Sequence, residues 1–288
     1  MTINQALIQA AKKLQSKNIS SAHLDAEVLL GYILKKSREH LLAHDENRLK
    51  STEQKKYSTL VSRRARYEPI AYLIGQKEFY GLNLIINKSV LIPRPETELL
   101  VEETIKIASR LNGKNAKLTI LDTGTGSGAI ALSLKTALPQ ARILALEASA
   151  AALKLARLNA KKHRLKIELI KSDLLAAPAV KRVRSQIIAA NLPYLDHSEL
   201  AGFPIEIRRG LSYEPTTALF AGQSGTSLYE KLFKQINALP FKPKFIVIEI
   251  GSWRHKKFLA LANKYFVQAK IEVKNDLAGR PRLLIIKL

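Results

Sequence analysis

Cysteine is absent from the 288 residues. That excludes disulfides, thiolate metal ligands and cysteine nucleophiles, and it suits a reducing compartment. Long apolar runs are missing as well, since none approaches the roughly 18 residues a membrane span needs, and no membrane association is expected. The N-terminal stretch MTINQALIQAAKKLQ is amphipathic and has no small-residue cleavage site. It does not read as a signal peptide, so a cytoplasmic protein is expected. The six histidines and the lone Trp253 show no metal-ligand or catalytic spacing. They read as surface or packing residues, and no metal is expected. Acids are scarce: 24 Asp/Glu stand against 47 Lys/Arg, a formal charge of +23. Such an excess invites a nucleic-acid partner. It is spread evenly, however, with a net +7 over residues 1–93 and +16 over 94–288, whereas a nucleic-acid arm would concentrate it. Diffuse basicity, with an acidic partner surface as the alternative, is the simpler reading.

What is present is a chain with 47% hydrophobic residues, enough for a full core. Residues 2–16 carry Ile3, Leu7, Ile8, Ala11 and Leu14 at helical spacing. A second helix starts at Ser21 or Asp25 with Ala26, Leu29, Leu30, Ile33 and Leu34 on one face, and a third runs from Ser51 to about Arg66. The first 75 residues therefore predict a small helical bundle. EFYGLNLIINKSVLIP then suggests a β-hairpin with a Gly-Leu-Asn turn, a linker over 76–93. From 94 to 288 short apolar strands alternate with helices: a helix over 96–110, then KLTILD, AIALSLKTAL, RILALE, SAAALKLARLNAKK, KIELIKS, SQIIAAN, a helix near 226–238 and KFIVIEI. This α/β alternation predicts a parallel sheet covered on both faces. KYFVQAKIEV and RPRLLIIKL are expected to close it as an antiparallel hairpin. No internal repeat is visible.

TILDTGTGSGAIAL places Gly124, Gly126 and Gly128, with Thr125 and Ser127 between them, at the turn from strand to helix. Glycine is needed where backbone turns tightly and lets a ligand approach its amides. The spacing is G-x-G-x-G after Asp122 rather than the dinucleotide pattern G-x-G-x-x-G. The next strand ends in Glu147, suited to accept from two ribose hydroxyls, and the one after ends in Ser172-Asp173, suited to take an adenine amino group. An acid at the end of three successive strands describes a nucleoside pocket on the carboxyl edge of the sheet. The order resembles that of class I S-adenosylmethionine methyltransferases, Rossmann-like folds with seven strands.

At the end of the fourth strand stands NLPY, Asn191 to Tyr194. Its plain reading is a turn, because Pro193 forces Leu192 into an extended conformation. Beside a methyl donor it reads as a clamp for a flat –NH2 group. Asn191 Oδ1 and the Leu192 carbonyl accept the two protons, while Tyr194 forms the wall.

The chain as a whole resembles the release factor glutamine methyltransferase family. The resemblance rests on EPIAYLIGQKEFYGL, LIPRPETELLVE, ILDTGTGSGAIALSL, SDL, NLPY, YEPTTALFAGQSGTSLY and DLAGRPRLLII. It implies transfer of a methyl from S-adenosylmethionine to the side-chain amide of the glutamine in the Gly-Gly-Gln motif of peptide chain release factors, with S-adenosylhomocysteine as product. It implies an N-terminal helical substrate-docking domain (1–75), a hairpin linker (76–93) and a methyltransferase domain (94–288), and a monomer is expected. Carried over by position, Gly124 to Gly128 form the cofactor loop, Glu147 holds the ribose, Leu174 lies beside the adenine next to Asp173, and Asn191, Leu192, Pro193 and Tyr194 receive the glutamine. Arg94 and Glu96 look like supports of the active-site wall, or equally like a Pro-flanked helix start. The chain departs from the family's usual pattern at Leu192 for Pro, at Glu147 for Asp, and at Leu174 for an aromatic. Two alternatives stay open. NLPY is similar to the motif of ribosomal RNA adenine dimethyltransferases, which grip an exocyclic –NH2 and would suit the charge; LIPRPETE and YEPTTAL have no counterpart there. The other is a catalytically inactive scaffold that binds release factors, against which the intact donor motif counts.

Overall fold

In the computed structural model the described residues are 1–111, 118–222 and 225–288. Lys117 of the expected strand KLTILD, and Gln223 and Ser224 of the segment YEPTTALFAGQSGTSLY, lie outside them. The chain begins with α1 (Ile3–Gln15), α2 (Ala22–Leu34), α3 (Arg38–Ala43), α4 (Ser51–Arg64) and α5 (Ile70–Ile74), then β1 (Gln76–Phe79) and β2 (Leu82–Ile85). After a 3-10 turn at Pro95–Thr97 come α6 (Glu98–Leu111), β3 (Thr119–Thr123), α7 (Ala129–Ala137), β4 (Arg142–Glu147), α8 (Ala150–Lys162), β5 (Glu168–Lys171), α9 (Pro178–Lys181) and β6 (Ile187–Ala190). The remainder is α10 (Ile205–Leu211), α11 (Thr216–Leu219), α12 (Ser227–Asn237), β7 (Phe245–Glu249), α13 (His255–Tyr265), β8 (Lys270–Asn275) and β9 (Pro281–Lys287). These form two compact units, Met1–Gln76 with Leu200–Glu214, and Lys77–Glu199 with Pro215–Leu288.

In the first unit α1 starts with a capping box. Thr2 Oγ1 accepts from the Gln5 amide, and the Gln5 side chain accepts from the Thr2 amide. Ile3, Ala6, Ala10, Ala11 and Leu14 are buried, whereas Ile8, expected on that face, is 48% exposed. Residues 200–214 were grouped with 94–288 by sequence, but they pack with this unit. The cause is a charge cluster that no periodicity reveals. Buried Arg64 donates to Asp25 and to Glu206, each at 2.6 Å, and Glu206 also accepts from the amide and hydroxyl of Ser20.

The hairpin β1–β2 turns at Tyr80-Gly81, with φ of 48° and 74°, one step earlier than the Gly-Leu-Asn turn expected. Two successive positive φ values match the right-handed twist of the flanking strands. The second unit holds a seven-stranded sheet in the order β5-β4-β3-β6-β7-β9-β8, parallel from β5 to β7, with β9 antiparallel to both its neighbours. The β6 strand is buried along its whole length, as a parallel strand covered on both faces must be. The expected closing hairpin is present, but Tyr265 belongs to α13 and the strand starts only at Lys270. The chain leaves β3 toward β4 on one side and reaches β6 on the other. The crevice for a ligand therefore opens at the carboxyl ends of β3, β4 and β6.

Candidate active site

A cavity of about 510 Å³ opens at that edge, within the roughly 300–1,000 Å³ of small-ligand sites. The glycine turn forms its floor. Gly124 (φ +75°) donates to the Leu146 carbonyl at 2.8 Å, and a Cβ there would lie 2.6 Å from Leu192 Cδ2. Glycine is thus favoured by the left-handed conformation, and any side chain there would push the Leu192 methyl aside. Gly126 (φ +56°) has no atom within 4 Å of where its Cβ would be, so its open side faces the cavity it lines. Asp122 was expected as one of three acids on the pocket. Instead it anchors the loop from behind: Oδ2 accepts from Thr125 Oγ1 at 2.5 Å and from the Ala131 amide at 3.1 Å. Burial pushes its carboxyl up to about 7. Buried Asn159 of α8 supports the far side of the turn, donating to the Ser127 carbonyl and pairing with both backbone groups of Ile85.

Of the residues singled out by sequence, Gly124, Thr125, Gly126, Ser127, Glu147, Asp173, Leu174, Asn191, Leu192 and Pro193 line this one cavity. Gly128 stands behind it, at the N-cap of α7, and Tyr194 is beyond its edge. Glu147 accepts the Gly126 amide on Oε2 and the Ser149 amide on Oε1, both at 2.9 Å. Each oxygen keeps a second lone pair for a ligand hydroxyl. Asp173 is exposed and ion-paired with Lys231. Leu174 follows it in a left-handed conformation (φ +52°), with its carbonyl accepting from Ser172 Oγ. Arg94 lines the cavity and Glu96 does not; it is Thr97 that reaches it.

The clamp is held more tightly than the sequence disclosed. Asn191 Nδ2 donates to Glu249 Oε2 at 2.9 Å and to Thr97 Oγ1 at 3.0 Å, and Thr97 Oγ1 donates to the same Glu249 oxygen at 2.7 Å. With Nδ2 held between these two acceptors on one side, the amide is oriented and Oδ1 is the atom left to accept. Tyr229 performs the same service for Leu192. Its hydroxyl donates mainly to the Glu249 carbonyl at 2.6 Å, with a longer contact of 3.3 Å to the Leu192 carbonyl, and accepts from the Leu192 amide at 2.9 Å; the Leu192 carbonyl keeps a second lone pair as an acceptor. Glu249 is 1% exposed, and burial pushes its carboxyl up to about 7 against the opposing Thr97 bond and Arg282 charge. Burial likewise raises the Tyr194 phenol, which faces Glu249 Oε1 at 3.5 Å and stays protonated. Glu249, Thr97, Tyr229, Asn159 and Lys231 were all missed. Glu249 had a usable signal, because it follows the apolar run FIVI as Glu147 closes RILALE, each the last residue of its strand. Thr97 and Tyr229 lie inside quoted segments but give no chemical cue alone.

Residues 5–75 match the PrmC N-terminal domain model and residues 97–202 the methyltransferase small domain model. The chain is 38% identical over 283 residues to the release factor glutamine methyltransferase of Coxiella burnetii, covering 94% of this chain and 97% of that one. The chain belongs to the release factor glutamine methyltransferase family. A second member, from Moorella thermoacetica, is 36% identical over 99% of this chain and 98% of its own length. The bifunctional methyltransferase of Rickettsia felis is also 36% identical, but this chain spans 58% of it. In fold, the hMettl16 catalytic domain, solved in complex with MAT2A 3'UTR hairpin 1, superposes with a TM-score of 0.57 at 17% identity, covering 90% of each chain. A methyltransferase from Pyrococcus furiosus gives 0.51 at 16% identity, covering 78% of this chain and 98% of that one. These are the α/β class I methyltransferase folds that the family shares. Among the described residues no helix is long and apolar enough to cross a membrane, and no group of three or more His, Cys, Asp or Glu side chains could hold a metal ion.

Proposed function

We propose that this family member methylates the side-chain amide of the glutamine in the Gly-Gly-Gln motif of release factors, using S-adenosylmethionine in the cytoplasm. The observation that carries the reading is the locked Asn191 amide. Its nitrogen is engaged by Thr97 and Glu249, which leaves Oδ1 as one acceptor for a planar –NH2 group, and the Leu192 carbonyl, 3.3 Å from the Tyr229 hydroxyl, offers its second lone pair as the other. The donor cavity fits the cofactor: it offers the open side of Gly126, the free lone pairs of Glu147 for ribose hydroxyls, and Asp173 with Leu174 for the adenine. Bound there, S-adenosylmethionine supplies a sulfonium methyl already activated for in-line displacement. Because the methyl is activated, positioning supplies most of the rate.

An amide nitrogen is a poor nucleophile, its lone pair being delocalised into the carbonyl. Asn191 Oδ1 and the Leu192 carbonyl aim it and stabilise the positive charge that develops on it. Tyr194 holds the amide plane and, being protonated, brings no charge of its own. As the N–C bond forms, the nitrogen becomes acidic enough to lose a proton without a strong base. Incubation with labelled methyl donor and either a release factor or ribosomal RNA tests this directly. Label in the release factor is expected. Label only in RNA would favour the adenine-methylating alternative, and label in neither would favour an inactive scaffold. The N-terminal unit is assigned to docking the release factor. A chain lacking residues 1–75 should bind the donor yet turn over the whole protein poorly, and undiminished turnover would contradict that role.

A further inference from the structure

The lone tryptophan of the chain lies beside the amide wall. Its ring meets Tyr194 edge-on, with centroids 6.1 Å apart at 68°, and it is 51% exposed. Gly251 lies against the same tyrosine ring; a Cβ there would stand 3.2 Å from Tyr194 Cδ2 and 3.4 Å from Trp253 Cζ2. An exposed indole normally samples several orientations, yet this one is pinned. Its Nε1–H donates to Glu199 Oε1, an oxygen that also accepts from buried Arg254 at 2.9 Å, while Glu199 Oε2 accepts from the Asp196 amide at 2.9 Å. Salt-bridging a carboxylate to hold a half-exposed aromatic does little for a core. It does preorganise a contact surface, since the entropy of fixing the ring is spent before a partner arrives.

We infer that Trp253 is an acceptor subsite, whose exposed indole receives the polypeptide backbone flanking the target side chain. This rests on the glutamine reading above. A glycine-flanked segment suits it, because backbone without side chains can lie flat on an aromatic face. Trp253 thereby governs acceptor affinity, while Asn191 and Leu192 govern the chemical step.

Steady-state kinetics on a whole release factor at saturating donor test the assignment. Trp253→Ala should raise the KM for the release factor about tenfold, the scale of losing a buried aromatic anchor, with kcat and donor affinity unchanged. Trp253→Phe should recover much of the loss. An unchanged KM would overturn the subsite. So would a fall in kcat alone, since the ring would then only prop Tyr194. If the parent leaves the release factor unlabelled, the glutamine reading itself fails; if it labels it and Trp253→Ala has the parental KM, only the subsite fails. Fluorescence gives a second readout, because Trp253 is the sole tryptophan. A tryptophan-free peptide containing Gly-Gly-Gln, added with S-adenosylhomocysteine at a concentration that competes with release factor methylation, should shift its emission. An unshifted spectrum would overturn the proposal.

Discussion

Replacing Glu249 with glutamine separates the charge of this residue from its hydrogen bonds. Burial pushes the carboxyl up to about 7 from an ordinary 4.5. The gap corresponds to at most about 3 kcal/mol. Its sign follows from which state holds the proton more tightly, and here that is the native state. The parent therefore has the full contribution below 4.5, loses stability as pH rises toward 7, and loses no more above it. Asp122 follows the same course, from 3.8 to about 7, so the informative quantity is the difference between variant and parent. In Glu249→Gln the amide oxygen takes the place of Oε2 and keeps the bonds from Thr97 and Asn191. The variant should then exceed the parent by about 1–2 kcal/mol at pH 8, or about 2–8 °C in Tm, and match it at pH 5. Turnover of Glu249→Gln should stay near the parent. Glu249→Leu frees the Asn191 amide to turn and should lose about 10–100-fold in kcat, with donor affinity kept. Thermal unfolding across this pH range and labelled-methyl turnover check both. A pH-independent stability difference, or parental kcat in Glu249→Leu, would refute the reasoning.

Asn191→Ala should lose about 2–4 kcal/mol of transition-state stabilisation with the donor pocket intact, and Tyr194→Ala should lower turnover more than Tyr194→Phe, both read from kcat at saturating donor. Gly126→Val should drive a side chain into the cavity and Glu147→Ala should release the Gly126 amide; calorimetry should show weaker donor binding in both, with circular dichroism unchanged. Leu192→Pro should keep turnover, since only the carbonyl of that residue is used. It should also lose about 1 kcal/mol of stability by denaturant titration, because the Leu192 amide now donates to Tyr229.

The donor half of the site was legible because its chemistry is local. A glycine turn between an apolar strand and helix, followed by strand-end acids, falls within one stretch from Leu121 to Leu174. Even there Asp122 looked like a pocket acid and turned out to clamp Thr125 and Ala131, a distinction that side-chain direction alone makes. The acceptor half was legible only in NLPY. What orients Asn191 comes from 94 and 58 residues away, Thr97 and Glu249, and these meet only because β6 and β7 are sheet neighbours with the 97 turn beside them. The short helices α3, α5, α9, α10 and α11 span at most seven residues each. Two turns or fewer leave no periodic signal to read. The longer helix α13 was passed over because KYFVQAKIEV reads as one apolar run across its end.

The position of the transferred methyl tests the central claim most directly. A release factor is incubated with this protein and S-adenosylmethionine, digested, and sequenced by fragmentation mass spectrometry. One methyl mass on the side chain of the Gly-Gly-Gln glutamine, formed at least about tenfold more slowly when Asn191→Ala replaces the parent, is the predicted result. A methyl on another residue, or an unmodified glutamine beside methylated adenine in ribosomal RNA treated in parallel, would contradict it.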